Sequence, residues 1–173
     1  MARDPSEPDY LIGVIGAGTM GRGIAQIAAM GGMGVRLFDA KEGVAADGLA
    51  FVERMVSRAA EKGNISNGAA VAALGRLEVV DSLARLASCD LVIEAIIEDL
   101  EIKRTLFREL ETMVSPDCIL ASNTSSLSVT AIAAGLETPE RLAGYHFFNP
   151  VPLLKVVEVV DGLRTASWIG EIL

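Results

Sequence analysis

The sequence feature that most constrains the fold is a glycine-rich turn over residues 16–21, Gly-Ala-Gly-Thr-Met-Gly, with the spacing G-x-G-x-x-G. It follows an apolar run over residues 10–15 and opens a second apolar run over residues 20–30. This order predicts a strand, a tight turn and a helix. The first glycine permits the turn, the second leaves room for a pyrophosphate against the backbone, and the third lets the helix pack closely on the strand.

An acidic residue follows the next predicted strand, at the position where a dinucleotide-binding glycine turn has a carboxylate. Residues 35–38 predict the next parallel strand, which ends at Asp39, 18 residues after Gly21. A carboxylate at this point accepts hydrogen bonds from the adenosine ribose hydroxyls and repels the ribose phosphate of NADP. The pattern therefore predicts NAD as the cofactor. The alternative is a structural glycine turn beside a solvated aspartate.

The composition narrows the class of protein. The 173 residues are 51% hydrophobic and 22% charged, which is typical of one globular domain. A net charge of −8 without a basic cluster argues against nucleic acid or an anionic membrane as partner. Cys89 and Cys118 lie beside apolar runs and are expected to be buried thiols, and a single histidine offers no metal site. With no apolar run of membrane-spanning length and no signal peptide, we expect a cytoplasmic protein.

Strand and helix patterns alternate along the chain. This alternation predicts an α/β fold, with a doubly wound and mainly parallel sheet of the Rossmann type. Residues 90–95 predict a strand buried on both faces. In the helix that follows it, one face carries the apolar side chains Ile102, Leu106, Leu110 and Met113.

The only histidine, His146, follows strand residues 142–145, so we expect it near the carboxyl end of a strand, where ligands bind in open α/β sheets. Glu158 lies inside an otherwise apolar strand, where an unpaired carboxylate is costly. Pairing with Glu158 would fix the tautomer of His146 and make its other ring nitrogen more basic. Such a pair is a general base for a hydroxyl proton while hydride leaves for a nicotinamide. The alternative is a structural histidine and a solvated glutamate on an edge strand.

Two further polar groups follow predicted strands. Residues 122–126, Ser-Asn-Thr-Ser-Ser, can hold a substrate oxygen or the nicotinamide, or can simply cap a helix. Glu98 and Lys103 flank the loop after the strand at residues 90–95, and the alternative for both is a solvated helix face.

Four separated motifs resemble the 3-hydroxyacyl-CoA dehydrogenases. They are the glycine turn with the Gly-Ile-Ala that follows Arg22, VIEAIIE at residues 92–98, ASNTSSL at residues 121–127 and HFFNPVP at residues 146–152. They occur in the family's order, and the resemblance extends from about residue 10 to residue 164.

The resemblance implies NAD-dependent oxidation of (3S)-3-hydroxyacyl-CoA to 3-oxoacyl-CoA, or the reverse, as in fatty-acid β-oxidation. His146 matches the family's catalytic base, Glu158 its partner, and Ser125 a catalytic residue that contacts the substrate. The implied cofactor contacts are Gly16, Ala17, Gly18, Thr19, Met20, Gly21, Asp39, Ala95, Glu98, Lys103 and Asn149. Lys62 matches, less closely, a lysine that contacts the coenzyme A part of the substrate.

The resemblance also sets the expected domains. We expect a tail at residues 1–9, the NAD-binding Rossmann domain at 10–164, and at 165–173 the start of a helix that leads to a further domain. The family's helical C-terminal domain closes the cleft, supplies another catalytic asparagine and forms the homodimer, and it has no counterpart in these residues. We therefore expect the chain alone to be a poor enzyme, with apolar surface uncovered around Trp168. Two alternatives stay open: a non-catalytic NAD-binding or structural protein, as crystallin relatives are, and a dehydrogenase of another hydroxy acid.

Overall fold

Seven strands form a single sheet in the computed structural model, which describes residues 3–173. The order across the sheet is β3-β2-β1-β4-β5-β6-β7, and every neighbouring pair is parallel except β6 and β7. The strands are β1 (Leu11–Ile15), β2 (Gly34–Phe38), β3 (Leu77–Val79), β4 (Leu91–Glu94), β5 (Ile119–Ser122), β6 (Leu142–Phe147) and β7 (Val157–Asp161).

Helices connect the strands and cover both faces of the sheet. They are α1 (Thr19–Met30), α2 (Val44–Glu61), α3 (Asn67–Leu74), α4 (Leu100–Met113), α5 (Val129–Ala133) and α6 (Ser167–Ile172), with 3₁₀ turns at Leu83–Leu86 and Pro139–Arg141. On one face a core cluster includes Ile24 of α1 and Ile169 of α6, and on the other a second cluster includes Phe107 of α4 and Ile132 of α5. The predicted doubly wound, mainly parallel α/β sheet is confirmed.

The strand β4 lies in the middle of this sheet. All four of its residues are buried, and its neighbours β1 and β5 pair with it on either side. Val92 belongs to one core cluster and Ile93 to the other, so both faces of the strand are covered, as predicted.

The buried face of α4 differs from the predicted one. The helix buries Lys103, Phe107 and Leu110, whereas Ile102 is 44% exposed. Of the predicted face only Leu110 is fully buried, so the sequence pattern misplaced the inward stripe. The reason is that a charged residue, Lys103, takes an inward position that the apolar periodicity cannot reveal.

The edge strand β7 pairs only with β6 and is exposed along its whole length. The cost expected for an unpaired carboxylate in this apolar strand does not apply to Glu158, because the strand lies at the edge and the side chain is 56% exposed. The segment after β7 has a partner within the chain: Ile169 is fully buried, and the Tyr145 hydroxyl donates a 3.0 Å hydrogen bond to the Leu173 carbonyl. Trp168 remains 39% exposed.

The first residues of the chain contact the body of the domain. In the predicted tail, Met1 and Ala2 lie outside the described residues, and Arg3 pairs with Glu7, Asp9 and Asp90. Within residues 3–173 no helix is both long and apolar enough to cross a membrane.

Candidate active site

The glycine turn between β1 and α1 has the tight packing that its sequence predicts. Gly16 has a φ of +92°, and a Cβ placed there would stand 2.6 Å from the carbonyl oxygen of Ala95. A Cβ on Gly21 would stand 1.6 Å from the carbonyl oxygen of Gly16. The turn is therefore pressed against the end of β4, and α1 starts directly on the turn.

Open space lies next to Gly18, by contrast. A Cβ built on this residue would meet nothing within 4 Å, and within the described chain no side chain caps the N-terminus of α1. A helix N-terminus with free N–H groups and a partial positive charge is a ready anion site. The turn thus has both the room and the donors that a dinucleotide pyrophosphate needs.

Asp39 lies immediately after β2 and borders the turn. One carboxylate oxygen accepts a 2.8 Å hydrogen bond from the Ala17 N–H, and the other accepts a 2.9 Å bond from the Lys41 N–H. A carboxylate has about four acceptor positions, so two remain for the hydroxyls of a ribose. The backbone contacts fix the carboxylate at the position where such hydroxyls would arrive.

A groove of about 690 Å³ extends from this carboxylate to α4, and we call it the Asp39 groove. Its wall includes Gly16 and Asp39 on one side and Ile97 and Ile102 on the other. These two isoleucines are 65% and 44% exposed. The outward position of Ile102 therefore gives the groove an apolar wall, against which a flat aromatic ring could pack.

The histidine and glutamate singled out from the sequence meet across the two antiparallel strands. His146 of β6 stands directly opposite Glu158 of β7 in the strand register, and His146 Nδ1 is 2.9 Å from a carboxylate oxygen of Glu158. Because a carboxylate only accepts, Nδ1 carries a proton, and in the neutral imidazole Nε2 is then the nitrogen with the lone pair. The predicted pairing is confirmed, although Glu158 is exposed.

His146 lines a cavity of about 320 Å³ at the carboxyl ends of β4, β5 and β6, which we call the His146 cavity. Four of the predicted site residues besides His146 line it: Met20, Glu98, Ser125 and Asn149. The remaining wall is formed by Ile96, Asn123, Phe147 and Phe148. The Phe148 ring contacts the imidazole, with 4.6 Å between ring centroids.

Glu98 organises one wall of the cavity. One of its oxygens accepts hydrogen bonds from the Thr124 hydroxyl at 2.5 Å, from the backbone N–H groups of Ser125 and Ser126, and from the Ser126 hydroxyl. Partial burial opposes ionisation, but the Thr124 hydrogen bond and the charge of Lys103 outweigh it and lower the pKa of Glu98 to about 2. The ionised carboxylate therefore holds the loop that presents Ser125.

Behind Glu98 lies a buried ionic network. Lys103 Nζ is 2.5 Å from an oxygen of Glu94 and 3.2 Å from an oxygen of Glu98, and the side chains of Lys103 and Glu94 are 1% and 0% exposed. Glu94 also accepts hydrogen bonds from the Ile96 N–H and the Ser122 hydroxyl, both at 2.7 Å. A solvated helix face is therefore wrong for Lys103, which lines neither the Asp39 groove nor the His146 cavity.

A third cavity, of about 680 Å³, runs between α1, α2 and the loop after β6, and we call it the Phe51 groove. Phe51 and Met55 of α2 line it, and the guanidinium of Arg22 lies 3.8 Å from the centre of the Phe51 ring. Asn149 lines both this groove and the His146 cavity, so the two spaces are neighbours at this residue. The exposed Lys62 directly follows α2, between groove residues Ala59 and Asn64.

Comparison with known proteins agrees with this geometry. The family model described as "3-hydroxyacyl-CoA dehydrogenase, NAD binding domain" matches residues 11–171. The chain belongs to the 3-hydroxyacyl-CoA dehydrogenase family. The match is to the family's NAD-binding domain, so NAD is the cofactor.

Relatives in this family carry closely related names. A probable 3-hydroxybutyryl-CoA dehydrogenase of Deinococcus radiodurans is 44% identical over 155 residues, and the alignment covers 90% of this chain and 55% of that protein. The 3-hydroxyadipyl-CoA dehydrogenase of Escherichia coli is 43% identical, with 92% of this chain and 34% of that protein covered. The chain thus spans about half the length of the first relative and a third of the second.

Solved structures of family members match the fold. A 3-hydroxybutyryl-CoA dehydrogenase from Escherichia coli has a TM-score of 0.92 at 42% identity, covering 94% of this chain and 34% of that one. The (S)-3-hydroxybutyryl-CoA dehydrogenase of Ralstonia eutropha has a TM-score of 0.89 at 36% identity, covering 93% and 57%. The dehydrogenase fold of these enzymes therefore extends over nearly the whole chain.

The sequence patterns did not single out two residues that the structure places in or beside the site. Glu94 falls within the strand predicted at residues 90–95, and Asn123 is one member of the polar group at residues 122–126. The apolar pattern of β4 gave no signal for a buried charge. Asn123 could have been distinguished only by its contact, a 2.9 Å hydrogen bond in which its side-chain oxygen accepts from the Phe147 N–H.

Proposed function

We propose that the chain carries the cofactor-binding and proton-transfer residues of an NAD-dependent (3S)-3-hydroxyacyl-CoA dehydrogenase. The observation that carries this proposal is the contact between His146 and Glu158, since His146 lines the same cavity as Ser125 and as Met20 of the glycine turn. The names of the relatives support an acyl-CoA substrate. A non-catalytic protein with this fold would need neither member of the pair, so their contact favours the enzyme.

The reaction asks three things of the chain's own residues. His146 Nε2 takes the proton of the substrate's 3-hydroxyl, while Glu158 keeps Nδ1 protonated and stabilises the imidazolium that forms. The Ser125 hydroxyl donates a hydrogen bond to the same substrate oxygen. When bound, NAD accepts the hydride from the carbon that carries this oxygen. In the reverse direction His146 returns the proton to the 3-oxo oxygen.

The cofactor fits the groove and turn already described. Gly18 and the start of α1 would hold the pyrophosphate of NAD, Asp39 would accept hydrogen bonds from its adenosine ribose, and Ile97 and Ile102 would contact its adenine base. Met20, Ala95, Glu98 and Asn149 would bind the nicotinamide. Lys103 serves this end indirectly, because its ammonium is held by Glu94 and Glu98.

The coenzyme A arm occupies the Phe51 groove, which shares Asn149 with the wall of the His146 cavity. Its apolar wall suits the pantetheine arm, and the exposed Lys62 supplies a positive charge for a phosphate. Such a charge is needed because the chain as a whole carries −8. Homodimer formation, the absence of nucleic-acid partners and a cytoplasmic location stay predictions that rest on the resemblance and the composition.

NADH oxidation in the presence of acetoacetyl-CoA tests the activity. Because the chain spans 55% of the Deinococcus relative, we would compare it with a chimera in which the remaining residues of that relative follow Leu173. We expect steady turnover by the chimera and much slower turnover by the 173-residue chain. A folded chimera that binds NADH but does not reduce acetoacetyl-CoA would contradict the proposal.

Calorimetric titration of the chain with NAD and NADP tests the cofactor assignment separately. We expect NAD to bind more tightly, since Asp39 repels the ribose phosphate of NADP, and Asp39→Asn to narrow the difference. Equal or tighter binding of NADP by the unaltered chain would overturn the role given to Asp39.

A further inference from the structure

Asn123 is the one polar side chain of the His146 cavity to which the proposed function assigns no role. It follows β5 directly, and its own N–H donates to the Glu94 carbonyl at 2.8 Å. Its side chain turns to the neighbouring strand, where its oxygen accepts the 2.9 Å hydrogen bond from the Phe147 N–H. The residue is therefore fixed at both backbone and side chain, next to the residue that follows His146.

This contact decides which way the amide faces. A backbone N–H needs an acceptor, so the side-chain oxygen must face Phe147 and the NH₂ group must point the other way. Among residues 3–173 nothing accepts from that NH₂ group, and it is not one of the buried polar atoms that lack a partner. Since Asn123 lines the His146 cavity, its two N–H donors are open to this space.

Two other polar groups of the His146 cavity cannot donate a hydrogen bond to a ligand oxygen. Glu98 is an ionised acceptor whose hydrogen bonds go to the loop at residues 124–126. His146 Nε2 accepts before the proton moves, so it cannot hold a carbonyl oxygen in that state. Besides the Ser125 hydroxyl and the Asn149 amide, the Asn123 amide is the neutral side-chain donor that the described cavity wall offers to a ligand oxygen.

We propose that Asn123 donates a hydrogen bond to a carbonyl oxygen of the ligand bound in the His146 cavity. The proposal rests on the proposed function, which supplies such oxygens from two sources, the acyl group of the acyl-CoA with its 3-oxo group and the carboxamide of the cofactor. A pre-oriented donor stabilises the negative charge that gathers on a carbonyl oxygen more than it stabilises the neutral carbonyl. On the 3-oxo group Asn123 would therefore assist the reaction, and on the carboxamide it would orient the nicotinamide ring.

Two substitutions separate the role of the NH₂ donor from that of the anchor, which is the hydrogen bond from the Phe147 N–H to the Asn123 side-chain oxygen. Asn123→Asp keeps an oxygen that can accept from Phe147 but replaces the NH₂ group with a second oxygen, whereas Asn123→Ala removes both. Ser126→Ala is the matched control, because that hydroxyl faces Glu98 and does not line the cavity. Amide hydrogen exchange at Phe147 reports whether the anchor survives in each variant.

Binding to the 173-residue chain is measured by calorimetry with NADH, with acetoacetyl-CoA and with free CoA, which lacks the acyl carbonyls. Binding of NADH and acetoacetyl-CoA to the unaltered chain is established first, and failure there would count against the proposed function itself. If Asn123 contacts the 3-oxo group, both variants should bind acetoacetyl-CoA about five- to tenfold more weakly and free CoA unchanged. If it contacts the carboxamide, the same loss should appear with NADH instead.

The aspartate variant adds a readout that a purely structural role would not move. Protonation of Asp at position 123 restores an O–H donor, so its affinity should recover as the pH falls, relative to the unaltered chain. The reference curve is needed because Glu98 and His146 face the same cavity, with Glu158 behind His146. Unchanged affinity for both NADH and acetoacetyl-CoA in both variants, or an equal loss for free CoA, would overturn the proposal.

Discussion

One ionic group contacts Glu98 and the other includes His146, two residues that line the His146 cavity, and the two groups are built in opposite ways. Glu94 and Lys103 are 0% and 1% exposed, and they hold Glu98 from behind. His146 and Glu158 form a single 2.9 Å contact across the edge of the sheet, with side chains 18% and 56% exposed. The first group has little access to water, and the second has its carboxylate in water.

This difference follows from what each group has to do. Buried charges cost several kcal/mol each unless they are paired and hydrogen-bonded, so the network must be complete and fixed in place. A general base must release the proton it has taken, and an imidazole at the sheet edge can pass it to solvent. We infer that the buried network sets the geometry of the site, whereas the exposed pair carries the proton.

Removing the base should give the largest effect on activity. In the chimera, His146→Gln should lower turnover by about 10²- to 10⁴-fold, the usual contribution of a general base. NADH affinity and the free energy of unfolding should barely change, because the histidine holds no dinucleotide atom. Steady-state kinetics and calorimetry measure the two quantities. Near-normal turnover would remove His146 from the mechanism and leave the exposed pair without a function.

Breaking the buried network should instead lower the free energy of unfolding. Lys103→Met leaves two carboxylates without their counter-ion, and removing one partner of a buried ion pair typically costs about 3–5 kcal/mol. The matched control on the same helix is Glu101→Gln, which breaks an exposed 2.7 Å pair with Arg104 and should stay within about 0.5 kcal/mol. Urea unfolding of the chain gives both values. Equal effects of the two substitutions would show that the network is no more important than a surface pair.

The partner of the histidine should matter for rate and hardly at all for stability. Glu158→Gln should slow the chimera by about ten- to a hundredfold, since an amide cannot stabilise the imidazolium. Its free energy of unfolding should fall by less than about 1 kcal/mol, as for other exposed pairs. If the two residues act as one unit, the double variant should be little slower than His146→Gln alone. Losses that multiply would mean that Glu158 acts independently.

The sequence was informative about the exposed pair and not about the buried network, for a physical reason. His146 and Glu158 stand out because polar residues interrupt apolar strands, and two antiparallel neighbours can place them opposite each other. The parallel strands and the glycine turn were predictable in the same way, from apolar runs and spacing. The cost given for an unpaired Glu158 carboxylate assumed burial, but an apolar pattern cannot tell an edge strand from a central one when both are rich in aliphatic residues.

The sequence contains no comparable sign of the buried network. Lys103 sits in a helix where apolar periodicity pointed to Ile102, and only the position of Glu94 beneath it explains the inward turn. Glu94 itself looks like the end of an apolar strand. The amide of Asn123 is hidden for the same reason, because its orientation depends on the N–H of a residue 24 positions away. Contacts distant in sequence decided all three, and local patterns do not contain them.

The smallest effect we predict is a pH dependence at the point where the two regions meet. Glu98 is reached by Lys103 from the network and lines the cavity of His146. Its pKa is about 2 in the folded chain against an ordinary value of 4.5. Because the folded state favours the ionised form, its contribution to stability is present above pH 4.5 and is lost as the pH falls towards 2.

Glu98→Gln should therefore be less stable than the unaltered chain at neutral pH, and the gap should close between pH 4.5 and 2. Urea unfolding at several pH values measures the gap. Glu78 and Glu111, whose pKa values are also lowered, titrate in both proteins and cancel in the difference. At neutral pH, amide hydrogen exchange at Ser125 and Ser126 should be faster in Glu98→Gln than in the unaltered chain, since their N–H groups lose the ionised acceptor. A gap that stays constant with pH would mean that the Glu98 charge does not hold the Ser125 loop, and the geometry of the site would then have to come from Glu94 and Lys103 alone.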